Sequence, residues 1–127
     1  MTARLAAIGF GIIVLFQLAL AAGAPLGRAA WGGRHAGTLP RQLRVASLVA
    51  AAVWVLAGLV LLRRAGHLTG ALPWAVAQWG TWIVMGLLIL GTVMNVASPS
   101  GWERYLWGPF AATLAVLCFL AARTPAP

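Results

Sequence analysis

Four long apolar runs separated by short polar breaks organise this chain. Leu5 to Leu26 is 22 residues without a charge, and Gln17 is its only strongly polar member. About 20 apolar residues carry a helix across the hydrocarbon core of a bilayer, so residues 5–26 are the first predicted span. Val45 to Leu62 is the second, closed by Arg63-Arg64. The third runs over 74–97. Trp74, Trp79 and Trp82 precede its most apolar part, as indoles anchored at headgroup level would, and Asn95, Ser98, Pro99, Ser100 and Gly101 close it. The fourth covers 106–122, where Gly108, Ala111, Ala112 and Ala115 make a face small enough for close helix approach.

Backbone groups in lipid must be hydrogen-bonded within their own segment, so these runs predict helices rather than open strands. Short connections predict antiparallel neighbours. The expected fold is all-α, an integral membrane four-helix bundle forming one domain over 1–127. Arg4, the hydrophobic stretch and Ala19-Leu20-Ala21 also resemble a secretory signal with its cleavage site. The run stays apolar beyond that point, which favours a retained helix.

Composition agrees with this pattern. Hydrophobic side chains make up 62% of the chain and charged ones 8%, against about a quarter charged in soluble domains. Too few polar residues exist to cover the exterior of a water-soluble domain. The net charge of +8 comes from nine basic residues against one acidic residue. All nine are Arg and stand singly or in pairs beside the apolar runs. That is an interfacial pattern suited to anionic membrane lipids, and it excludes a nucleic-acid face. Four spans put both termini and Arg63-Arg64 on one side, with four Arg there against five on the other. A difference of one does not orient the chain; Arg4 and Arg63-Arg64 hug their helix ends, which favours cytoplasmic termini.

The longest polar break, Gly23 to Arg44, holds five of the Gly and four of the nine Arg. Pro25, Gly27 and Pro40 suit a chain reversal, and Leu39-Pro40 suits a helix restart. Arg28, Gly32, Gly33, Arg34, His35, Arg41 and Arg44 form its one cluster with chemical character. Successive Gly can present backbone N–H groups to an anion, and Arg supplies a bidentate fork for phosphate or carboxylate. A lipid head group or an acidic loop of a partner would fit; a solvated turn touching bulk phospholipid would use the same residues.

Gln17 and Asn95 are the polar side chains deepest in the spans, suited to an interhelical hydrogen bond or to contact with a bound molecule. Glu103, the sole acid, stands beside Arg104 in a predicted hinge, where a local ion pair or a helix cap is expected. One carboxylate cannot supply paired acid/base catalysis, and His35 and His67 fall on opposite sides of the membrane. Cys118 is the single cysteine, so no internal disulfide or metal cluster can form around it. No catalytic residue, metal or cofactor follows from the sequence.

Several pieces together resemble a family of small bacterial four-helix integral membrane proteins of uncharacterised activity. They are Gly23-Ala24-Pro25 with Gly27, Trp31-Gly32-Gly33, Leu39-Pro40, Leu43-Arg44 and Ser47, then Asn95, Ser98, Ser100, Glu103-Arg104 and Pro109. The resemblance implies four spans in a bacterial cytoplasmic membrane and carries no activity or functional residue with it. The function expected is non-enzymatic binding of a lipid or a membrane-protein partner. The alternatives are a homodimeric transporter or channel lined by Gln17, Asn95, Trp54, Trp79 and Trp82, and a membrane-bound isomerase or transferase.

Overall fold

The computed structural model describes residues 1–125 and is all-helical over them. Helix α1 is Thr2–Ala22, α2 is Arg41–Arg64, α3 is Trp74–Val96 and α4 is Gly108–Arg123, the last entered through a π-helical turn at Glu103–Trp107. Counting that turn with α4, each of the four is long and apolar enough to cross a membrane. The chain is a multi-pass membrane protein. Its first helix stops at Ala22, short of Leu26, because Gly23 takes φ +101° and its N–H closes on the Leu20 carbonyl. A left-handed residue after the last turn is the usual glycine stop. Helix α2 begins at Arg41 rather than Val45, with Pro40 as its cap, so Arg41 and Arg44 belong to a helix and not to the loop.

The helices are arranged in a ring in chain order, with α1 against α2 and α4, and α3 against α2 and α4. Two apolar clusters fill the interior. The larger, nearest the termini, joins Ala6, Phe10 and Ile13 of α1 to Ala57 and Leu61 of α2, Val84 and Leu88 of α3, and Leu114 and Cys118 of α4. The smaller lies under the loop and consists of Leu20, Ala30 and Leu39, with Phe16 and Leu43 against it. Small residues let the backbones approach. Gly108 and Ala111 of the expected small face on α4 are buried, and on α3 Gly80 sits so close to Val60 that a Cβ there would be 3.0 Å from it.

Arginines tie the ends. Arg64 donates through Nη2 to the Ala122 and Thr124 carbonyls at 2.8 and 2.9 Å, satisfying the last turn of α4. Arg44 Nε donates to the Ala21 carbonyl at 3.0 Å and does the same for α1. Helix ends leave carbonyls without intrahelical partners, so both contacts remove a desolvation cost. Arg63 and Arg64 also lie over the Trp74 ring, at 5.5 and 5.4 Å.

Candidate functional site

The loop folds back over the end of the bundle and is fastened at four places, the fourth being the Ser100 hydroxyl on the Arg28 carbonyl. Ala30 and Leu39 are buried on Leu20. Trp31 donates its indole N–H to Ser47 Oγ of α2 at 2.9 Å. The third fastening is the sole carboxylate: both oxygens of Glu103 accept from the Gly32 N–H at 3.2 Å, across 71 residues of sequence, and Oε2 also accepts from the Ser98 hydroxyl.

Local backbone makes that third contact possible. Trp31, Gly32 and Gly33 are three successive left-handed residues, with φ of +50°, +81° and +70°. A tryptophan in this region is strained by about 1–3 kcal/mol, and its indole hydrogen bond to Ser47 helps hold it there. At Gly33 a Cβ would come within 2.9 Å of Ser100 Cβ and 3.0 Å of the Arg28 carbonyl, so only glycine fits between loop and bundle. From the other side, Ser100 Oγ donates to the Arg28 carbonyl at 2.6 Å. It also lies 3.4 Å from the Glu103 N–H, forming half of a capping box, while the Ser100 N–H donates to Ser98 Oγ at 3.1 Å.

Glu103 therefore does not form the expected hinge ion pair. Its carboxylate is taken by Gly32 and Ser98, and the Arg104 guanidinium donates instead to the Ser98 carbonyl at 3.2 and 2.9 Å. The hinge is a helical turn of π type, which places Glu103 on the buried side with 8% exposure and Arg104 outside. Two donors, the Gly32 N–H shared between both oxygens and the Ser98 hydroxyl, hold the buried carboxylate, whereas an exposed pairing contributes little. The N–H that Gly32 was expected to offer an external anion is met by the protein's own acid.

Beneath this latch lies a cavity of about 640 Å³, lined by all four helices and the loop. Its size falls within the roughly 300–1,000 Å³ of small-molecule sites. Phe16, Trp54, Met94, Trp107 and Phe110 supply apolar walls, and Ala50, Gly91 and Ala111 leave the volume between them. The aromatic walls brace one another: Phe16 and Trp107 have ring centroids 4.6 Å apart, and Trp107 meets Phe110 edge-on at 5.6 Å. Trp31, Arg34, His35, Met94 and Pro99 line the cavity and are exposed, marking its mouth at the loop end.

Gln17, Asn95, Glu103, Arg34 and His35 all contribute to the lining of this cavity. Gln17 Oε1 is buried and has no hydrogen-bond partner, so it makes no interhelical bond; Trp107 Nε1 is in the same condition. Each such orphan costs about 1–3 kcal/mol unless something satisfies it. The other expected contacts are dispersed. Arg28 and Gly33 border a smaller hollow of about 390 Å³ with Trp102, Arg41 is exposed on α2, and Arg44 is committed to α1. Of the tryptophans expected to line a path, Trp54 faces the cavity, whereas Trp79 and Trp82 are 67% and 40% exposed on the lipid side.

Sequence reasoning missed Trp107, Ser98 and Ser100 as site residues. The spacing of Ser100 and Glu103 is a capping-box signal and could have indicated a buried helix start. Nothing local marks Trp107 as an unpartnered donor. No protein-family profile, curated protein sequence or solved structure matches the chain.

Proposed function

We propose that this protein is a non-enzymatic binding protein that holds a membrane-dissolved amphiphile in the cavity under its latched loop. The observation that carries this reading is the cavity itself: about 640 Å³, mostly apolar, with its polar groups gathered towards one end. A hydrocarbon portion would lie against Phe16, Trp54 and Phe110 and a polar portion near Gln17 and Asn95. The far half of the bundle is closed by Phe10, Leu61, Leu88 and Cys118, each at most 1% exposed. A blind cavity favours holding a molecule over passing it through. The only carboxylate is engaged by Gly32 and Ser98, which leaves it a latch rather than a general base.

We place the protein in a bacterial cytoplasmic membrane with its termini and the Arg63-Arg64 turn facing the cytoplasm and its loop outside. Arg28, Arg34 and Arg41, all exposed at the loop end, would touch anionic head groups there.

Gly91 provides the test. It lines the cavity, and a Cβ at this position meets nothing within 4 Å, so Gly91→Phe fills the space without a clash at the backbone. Native mass spectrometry of the chain released from mild detergent should show one bound amphiphile per copy. Gly91→Phe should lose it while keeping its helical circular dichroism and cooperative melting. A chain that carries no amphiphile, or a Gly91→Phe variant that retains it, would refute the proposal.

A further inference from the structure

We infer that the seam between the two helix hairpins is the entrance to the cavity, and that the Glu103 latch sets how fast an occupant comes and goes; this rests on the cavity being the binding site. The loop is not the moving part by itself. It is pinned to its own hairpin, α1 with α2, by the Trp31 indole on Ser47, by the Thr38 hydroxyl donating to the Gly23 carbonyl at 2.8 Å and by Arg44 on Ala21, with Ala30 and Leu39 buried on Leu20. Residues 98–103 belong to the other hairpin, α3 with α4, where Arg104 holds the Ser98 carbonyl.

Among the described residues, two backbone groups carry every hydrogen bond between these two connections: the Gly32 N–H on Glu103 and the Arg28 carbonyl on Ser100. The mouth lies on the same seam. Of its exposed residues, Trp31, Arg34 and His35 come from the loop, and Met94 and Pro99 from the other hairpin. Gly32 and Glu103 are themselves in the cavity lining, so parting them widens the mouth. At the opposite end the hairpins stay joined, because the larger core draws on all four helices and Arg64 of α2 holds the end of α4. The hairpins therefore part at the loop end and pivot on that core. Met94, 65% exposed on a membrane-spanning helix, sets one lip of the mouth against lipid, where a membrane-dissolved molecule arrives.

A gate and a wall differ in what their loss does. Where a closed state dominates and passage needs a rare open one, loosening the closure speeds entry and exit by the same factor and leaves affinity unchanged. Loss of a wall contact speeds exit alone.

The probe is the amphiphile that the chain brings from its membrane. For the parent and each variant, chain grown on heavy-carbon glucose, with protein and amphiphile both heavy, would be mixed in mild detergent with its unlabelled counterpart, and native mass spectrometry would follow the unlabelled chains that take up a heavy amphiphile. Glu103→Gln should exchange about tenfold faster than the parent and Glu103→Ala about a hundredfold faster, the factors by which each loosens the latch, with occupancy unchanged. Ser100→Ala, which frees the Arg28 carbonyl, should also speed exchange and decides the matter if the Glu103 variants do not fold. Arg64→Ala, at the opposite end, should exchange at the parent rate. Parent-rate exchange in the latch variants, equal acceleration by Arg64→Ala, or faster exchange with a matching loss of occupancy would each overturn the gate and leave the binding reading standing. A parent chain that carries no amphiphile would overturn both.

Discussion

Replacing Glu103 tests whether one carboxylate closes the loop over the bundle. In Glu103→Ala the Gly32 N–H and the Ser98 hydroxyl lose their shared acceptor. Hydrogen bonds to a charged group contribute about 1.5–3 kcal/mol each. Gly32 is half-buried and its single N–H is divided between two oxygens 3.2 Å away, which argues for the low end. Two partners at about 1.5 kcal/mol give about 3 kcal/mol, or roughly a hundredfold in the local opening equilibrium. Glu103→Gln keeps one acceptor oxygen and can hold one partner. It should lose about half, roughly tenfold.

Hydrogen–deuterium exchange of loop peptides reads this directly. Amides of residues 27–33 should exchange roughly a hundredfold faster in Glu103→Ala and roughly tenfold faster in Glu103→Gln, while those around Phe10 and Leu61 in the larger core stay protected. Loop exchange that stays within about threefold of the parent in both variants would refute the latch. A uniform increase across all four helices would refute its locality.

Three further outcomes follow from the same geometry. Gly33→Ala, forced to φ +70° with its Cβ against Ser100 and the Arg28 carbonyl, should destabilise by about 1–3 kcal/mol, measured as a lower Tm; an unchanged Tm would contradict the close approach. Arg64→Ala should lower Tm and speed exchange at the end of α4, because the Ala122 and Thr124 carbonyls lose their donor; Arg64→Lys, with a single point donor, should recover only part. Cys118, fully buried in the larger core, should resist maleimide until the bundle is denatured, and labelling at the same rate in the native state would contradict that packing.

Much of the architecture was legible because lipid makes each span solve its own hydrogen bonding. Residue content therefore marked the four helices without knowledge of their neighbours. Boundaries slipped where single conformations decide them: Gly23 turned left-handed and ended α1 early, and Pro40 let α2 start at Arg41. The loop was recognisable as unusual from Trp31-Gly32-Gly33, yet its anion was sought outside the chain. That its partner is Glu103, 71 residues on, is a long-range fact that no local spacing contains.

Sequence by itself determined that this chain is helical, spans a membrane four times and carries its irregular, Arg-rich backbone at one end. Only the tertiary structure decided which sides of those helices face one another. In water, the contrast between apolar and polar faces would have shown this, but in lipid both faces of a helix are apolar and periodicity carries little of that information. The cavity and the latch across it depend on helix rotation and loop path, and these are set by side-chain packing between segments far apart in the chain.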